Sequence, residues 1–264
     1  MDTNKKVRDF YTEINEDTRT EHENLEFLRS KIIISRYLYA SNMVVADIGG
    51  ATGAYSFWLA SLGHRVHLLD LMDKHIEIAK GKERHNGLKL TSYSCADARS
   101  LPYADNSMDM VLLMGALYHL HAADDRLKCL TEAFRILKDD GIILCTIVNR
   151  YNMAIAPFKY KVFDDYGKDY IQKVLENGIH KKASFYNHSP DALAEELTAA
   201  GFEDINLIAV EGVANAFSDN KIPDDDKEAE NLLWIIEHTE SIPDLLGVSR
   251  NIIGVGKKRI APRE

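Results

Sequence analysis

The chain has 264 residues, 45% of them apolar and only six of them proline, which excludes wholesale disorder and leaves ample length for one sizeable core. Its formal charge is −9, and the only dense basic run is Lys257, Lys258 and Arg259, so long-range capture of DNA, RNA or an anionic membrane is not expected. Cys95, Cys129 and Cys145 are widely spaced and read as buried thiols; "MDTNKKVRDFY" has no signal-peptide core and no 18 apolar residues run together, so a cytoplasmic protein is expected.

Residues 1 to 42 look helical, with Leu25, Leu28 and Ile32 supplying apolar contacts. From there short apolar runs alternate with helical periodicity, the pattern of βα units around a largely parallel sheet. The spacing predicts strands over Met43–Ile48, Arg65–Asp70, Leu90–Tyr93 and Met108–Met114, and helices over Ala54–Ser61 and Lys74–Arg84. A further helix is expected over Asp124–Leu137, burying Leu127, Leu130, Phe134 and Leu137 on one face. "LKDDG" closes it, and unbroken hydrophobicity makes Ile142–Val148 a central strand.

The segment 150–190 holds seven tyrosines and phenylalanines from Tyr151 to Phe185 and fits no simple sheet pattern. It reads as an insertion or partial lid within a single domain, between a core over 43–148 and a C-terminal part over 191–264. "SPDALAEELTAAGF" is a helix with Ser189 as N-cap, proline at the first helical position and Gly201 closing it. Late strands are expected over Glu203–Val210 and Val248–Val255, with a surface helix ending near His238.

The chemistry concentrates at strand ends. In "VVADIGGATGAYSFWLA" a hydrophobic strand ends at Asp47, and Gly49, Gly50 and Gly53 surround a turn into a helix whose N-terminus favours negative groups. A dinucleotide fingerprint fails, because counting from Gly49 the third and sixth positions are Ala51 and Ala54. Asp70 closes the second strand, 21 residues after Gly49, where an acid can accept from both ribose hydroxyls of a nucleoside. Asp97 follows the third strand and can accept from an adenine amino group, while Leu71 or Met72 offers an apolar surface to the ring. Three acids at three successive strand ends mark the edge where open α/β sheets bind ligands.

"DIGGATG", "LLDLMDKHIEIAK", "CADARSLPYADNSMDMVLL" and "EAFRILKDDGIIL" together resemble the class I S-adenosylmethionine-dependent methyltransferases across roughly residues 43 to 148, and "DALAEELTAAGF" extends the resemblance to about residue 210. The resemblance implies an α/β Rossmann-like three-layer sandwich, with a seven-stranded mainly parallel sheet and one antiparallel strand near the C-terminus. It implies S-adenosylmethionine as cofactor, with S-adenosylhomocysteine as product. Asp47 would organise the glycine loop and the cofactor's amino group; Gly49, Gly50 and Gly53 would pass the methionine moiety. Asp70 would hold the ribose, Asp97 and Ala98 the adenine edge, and Met114 would lie beside the sulfonium. Ala51 replaces the second glycine of the usual acid-x-Gly-x-Gly-x-Gly pattern.

In "LLMGALYHLHAADDR" the fourth strand gives way to Tyr118, His119 and His121. Small-molecule methyltransferases carry a similar aromatic-histidine-leucine element, which implies that Tyr118 borders the methyl channel and that His119 orients or deprotonates an acceptor. His121 reads as an exposed loop residue. "MGALYHL" stands where many amino-directed nucleic-acid methyltransferases carry an Asn/Asp-Pro-Pro-aromatic tetrad. The expectation is direct in-line displacement at the activated methyl, onto a small-molecule acceptor lined by Tyr11, Arg19, Arg29, Arg150 and His188. No histidine and cysteine cluster suggests a metal site. Methylation of RNA or protein, for which "KKASFY" and "GKKR" are the motive, and a non-catalytic cofactor-binding scaffold stay open as alternatives. Monomer and homodimer are not distinguished.

Overall fold

A computed structural model describes residue 4 and the segments 24–180 and 184–259. Helix α1 (Leu25–Ser35) begins at Asn24, whose side chain accepts from the Phe27 N–H. Then follow β1 (Val44–Ile48), α2 (Ala54–Ser61), β2 (Arg65–Asp70), α3 (Asp73–Asn86), β3 (Ser92–Cys95) and β4 (Met108–Leu113). Helix α4 (Ala123–Ile136) runs into β5 (Leu137–Val148). Helix α5 (Phe163–Asn177) lies in the aromatic segment, ahead of α6 (Pro190–Ala199), β6 (Glu203–Ala209), α7 (Asp226–Thr239) and β7 (Asn251–Lys257).

The seven strands form one sheet in the order β3-β2-β1-β4-β5-β7-β6. The first five are parallel, and β7 runs antiparallel to both of its neighbours. This is the class I methyltransferase fold. Every residue of β1 is buried, because helices cover both faces and leave no solvent side. One core layer gathers Ile48, Leu113, Leu130 and Ile147, and the other gathers Val45, Leu59, Leu68 and Leu112. Each such side chain contributes about 1.5–3 kcal/mol on burial. Chain order reverses between β1 and β4, so the carboxyl ends of these two strands open a crevice.

The structure moves several expectations. Pairing of β3 starts at Ser92 opposite His67, two residues later than the apolar pattern suggested, because Leu90 is buried without joining the ladder. "LKDDG" belongs to β5 rather than to a closing turn, with Asp140 in the left-handed region. The buried face of α4 is Arg126, Cys129, Leu130, Ala133 and Ile136, and Leu127 is exposed. The last strand begins at Asn251 rather than Val248. Cys95, at the end of the sheet's edge strand, is exposed rather than buried. Ser189 caps α6 by accepting from the Ala192 N–H, as its spacing predicts.

Candidate functional site

A cleft opens at the carboxyl ends of β1, β2, β3 and β4. The glycine turn forms one wall. The N–H groups of Gly49 and Gly50 both donate to the Leu69 carbonyl, at 2.7 and 3.2 Å, which ties the turn to β2. Gly50 lies directly above Asp47: a Cβ there would meet Asp47 Oδ2 and Leu68 Cδ1, each at 2.5 Å. No side chain fits unless the Asp47 and Leu68 side chains shift. Ala51 takes φ +48°, the left-handed region that glycine enters freely and alanine does not.

Asp70 organises the opposite side. Its Oδ2 accepts from the Ala51 N–H at 2.9 Å, and its Oδ1 accepts from the Met72 N–H at 2.8 Å and faces His75 Nδ1 at 3.0 Å. Leu71, Met72, Ala98 and Met114 line the cleft with Asp70, and Thr146 Oγ1 lies 3.4 Å from Met114 Sδ. Asp97 also lines it, but its carboxylate accepts from the Arg99 backbone and guanidinium and from Asn4 Nδ2 at 2.8 Å. Burial works against its charge, yet these bonds from Arg99 and Asn4 hold it down to about 2. A ligand amino group reaching Asp97 would therefore exchange with a donor already there. Asp47 and Gly53 lie outside the lining. Asp47 is fully buried, with Oδ2 accepting from Ser56 Oγ at 2.6 Å, so its place is beneath the turn. Gly53 caps α2 at φ +86°.

After β4 the chain makes a tight turn, Leu117–His119, that brings Tyr118 and His119 into the cleft wall. The two rings lie 4.7 Å apart, and Phe185 packs edge-on to both at 5.3 and 5.2 Å. The segment after α5 is fastened to this turn: the Tyr186 N–H donates to the Tyr118 carbonyl at 2.8 Å, and His121 Nε2 lies 3.2 Å from the Ser184 carbonyl. His121 is thus half-buried and engaged rather than an exposed loop residue. Behind Phe185 lies a second, wider cavity with Asn152, Tyr160, Tyr170, His180 and Arg250 in its walls. The aromatic segment therefore builds a chamber next to the turn.

The five expected acceptor residues do not converge. Tyr11 and Arg19 lie outside the described residues. Arg29 is fully buried in α1, paired with Glu240 and with Glu237 at 3.2 Å and donating to the Val210 carbonyl, so it docks α1 onto α7. Arg150 donates to the carbonyls of Asn187 and Glu176, bracing the segment that follows α5. His188 is fully buried, with Nε2 3.2 Å from Glu196 Oε2, and burial pulls its pKa below the ordinary imidazole range. Arg29 is neutralised by acids far along the chain, and Arg150 is engaged by backbone carbonyls.

Four further residues shape the site. Thr52 and His75 line the cleft, Phe185 separates it from the second cavity, and Arg126 donates to the carbonyls of Leu120 and His121 at 3.0 and 2.9 Å. His75 is legible in retrospect, five residues after Asp70 and facing it across the first turn of α3. Among the described residues no three His, Cys, Asp or Glu side chains come together as a metal site.

The cleft's chemistry fits a nucleoside that carries a sulfonium and an amino acid. Its carboxylate sits beside apolar Leu71 and Met72, and its turn is held open by a glycine that admits no side chain. Residues 46–145 match the model of the methyltransferase domain. Two curated relatives are the ubiquinone/menaquinone biosynthesis C-methyltransferase of Pasteurella multocida, 26% identical over 61% of this chain and 63% of that protein, and the ubiquinone biosynthesis O-methyltransferase of Dinoroseobacter shibae, 30% identical over 61% and 60%. The chain thus spans about three-fifths of the length of these relatives. Among solved structures, a methyltransferase of Methanosarcina mazei superposes with TM-score 0.58 at 17% identity, covering 87% of this chain and 98% of that one. The [4+2]-cyclase SpnF gives 0.58 at 18%, covering 89% and 81%. At such identities these two matches speak for the fold. Sheet order, strand-end acids and domain match together define a Rossmann-like methyltransferase fold. Residues 46–145 are a methyltransferase domain by that match, and the fold around them is that of the class I S-adenosylmethionine-dependent methyltransferases.

Proposed function

We propose that the protein transfers a methyl group from S-adenosylmethionine to a nucleophilic atom of a small-molecule acceptor. The observation that carries this reading is the convergence of the glycine turn, Asp70, Asp97 and the Tyr118–His119 turn on a single cleft. Bound there, the cofactor would supply an activated methyl group. Asp70 would accept from its ribose, and the Asp97–Ala98 edge would face its base. The acceptor would enter from the second cavity, past Phe185, and meet Tyr118 and His119 at the partition. His119 is the group there whose ring nitrogens would serve as general base toward the acceptor. The packed Tyr118, His119 and Phe185 rings would exclude water and align the nucleophile. The curated relatives methylate in ubiquinone or menaquinone biosynthesis by their names, in keeping with a small acceptor. The chain's formal charge of −9 works against capture of a polyanion.

Two measurements test this. Calorimetry with S-adenosylmethionine and S-adenosylhomocysteine should show saturable one-to-one binding; silence toward both would end the cofactor reading. Incubation of a metabolite extract with methyl-labelled cofactor, followed by mass spectrometry, should yield a labelled small molecule and identify the attacked atom. Label appearing only in RNA or protein would redirect the assignment to a macromolecular acceptor.

A further inference from the structure

Helix α3 braces the glycine turn along one face. His75, Ala79 and Lys82 occupy positions i, i+4 and i+7, which stack on the same side of a helix. Ala79 is fully buried, and Lys82 Nζ reaches Thr52 Oγ1 at 3.0 Å. At the other end His75, only 3% exposed, lies 3.0 Å from Asp70 Oδ1. The remaining oxygen of Asp70 takes the Ala51 N–H, and Ala51 is the residue held at φ +48° where the family pattern has glycine. A carboxylate turns easily about its terminal torsion, so one held by a single partner would let that N–H go. His75 and the Met72 N–H together fix the carboxylate plane.

We propose that His75 is a positioning residue of the cofactor site: by fixing Asp70 it holds Ala51 in the left-handed geometry that a glycine would adopt unaided. The inference rests on the cofactor reading above for its consequence, but its geometry belongs to the protein alone. His75, Asp70 and Ala51 then form a chain of contacts in which the first link compensates for the unusual residue at the last. The departure from the glycine pattern is thereby made compatible with a formed site.

The test is a pair of double-mutant cycles, read by S-adenosylhomocysteine calorimetry and by thermal melting. H75F keeps a ring but removes the nitrogen facing Asp70, and should weaken S-adenosylhomocysteine binding about tenfold and lower Tm. H75N places an amide near the lost nitrogen and should restore affinity to within about threefold. In the A51G background the same H75F change should cost less than about threefold, because glycine needs no holding. The difference in Tm should shrink in parallel. A protein indifferent to H75F, or one that loses as much in A51G as in the parent, overturns the proposal. Should H75F not fold, folding of the A51G/H75F double variant supports it and failure of both overturns it. If the parent itself binds no S-adenosylhomocysteine, the cofactor reading fails, while the melting cycle still decides whether His75 holds the turn.

Discussion

Ser56 Oγ donates a 2.6 Å hydrogen bond to Asp47 Oδ2 at a point where neither residue meets solvent. The bond joins the end of β1 to α2 directly beneath the glycine turn. Burial is the larger influence on Asp47 and pushes its pKa up to about 6, against the pull of Ser56. The neutral form is therefore the one the fold prefers. Below pH 4 Asp47 is protonated in both folded and unfolded chains, and its contribution to stability is fully present. As pH rises from about 4 to about 6 the unfolded chain releases that proton first, so stability falls, on the order of 2–3 kcal/mol for this group. Asp47→Asn should flatten this limb and raise Tm at pH 7, measured by melting curves from pH 4 to 8. An Asn variant with the parent's pH profile would show that Asp47 does not titrate in this window.

Gly50 is the turn position with least tolerance. Gly50→Ala forces a methyl to within 2.5 Å of Asp47 Oδ2 and of Leu68 Cδ1, both inside the core. Overpacking of this kind costs about 1–3 kcal/mol, and relief by shifting the turn would displace the Ala51 N–H from Asp70. The expected result is a lowered Tm together with weakened binding of S-adenosylhomocysteine. Gly87→Ala is the control, since it shares a positive φ of 72° but has open space around it. It should lose stability from backbone strain while keeping affinity.

Arg126 holds the far side of the Tyr118–His119 turn. Its guanidinium lies 3.8 Å from the Tyr186 ring centroid, pairs with Glu196 at 2.7 Å and donates to the Leu120 and His121 carbonyls just after the turn. Arg126→Met would leave the Glu196 charge half-buried and these carbonyls without their donor. Losing one partner of a fully buried pair costs about 3–5 kcal/mol, and Glu196, partly exposed and still facing His188, keeps the loss toward the lower end of that range. Chemical denaturation should show a loss of that size, and adding Glu196→Gln should recover part of it. A single Met variant as stable as the parent would mean the network carries no net stabilisation.

Much of this was legible in the sequence, and the misses have physical causes. Helix α2 and strand β2 fall on their expected boundaries because Gly53, Gly63 and Asp70 punctuate them. The buried face of α4 was misjudged because its centre is a charged Arg126 with small Cys129 and Ala133, whereas the large Leu127 points outward. Hydrophobic size marks a core face only when no arginine is buried there with its own partners. The strand-end acids follow from topology alone, so Asp70 and Asp97 were found at the cleft. The acceptor side was not, because it is assembled by contacts such as Phe185 on His119, between segments with no common periodicity. Arg29 and Arg150 were drawn toward the site by their charge, but their partners lie elsewhere.

Cofactor binding and acceptor chemistry should separate between Asp70 and His119. Asp70 touches the glycine turn, Met72 and His75, while His119 packs on Tyr118 and Phe185. These partners differ, so the two substitutions act on different halves of the site. Asp70→Ala removes a charged acceptor and unpins the turn. Hydrogen bonds to charged groups are worth about 1.5–3 kcal/mol each, so binding of S-adenosylhomocysteine should weaken by about 10- to 100-fold. His119→Phe preserves the ring packing and loses only the ring nitrogens. It should leave that affinity near the parent's and reduce methyl transfer to the identified acceptor by roughly 10²- to 10⁴-fold if His119 moves a proton. Single-turnover rates with the cofactor saturating distinguish the two effects. Parent-like turnover in His119→Phe would assign the histidine to packing alone. An equal loss of cofactor affinity in both variants would place His119 on the methyl donor, with the nucleophile held by other groups of the second cavity.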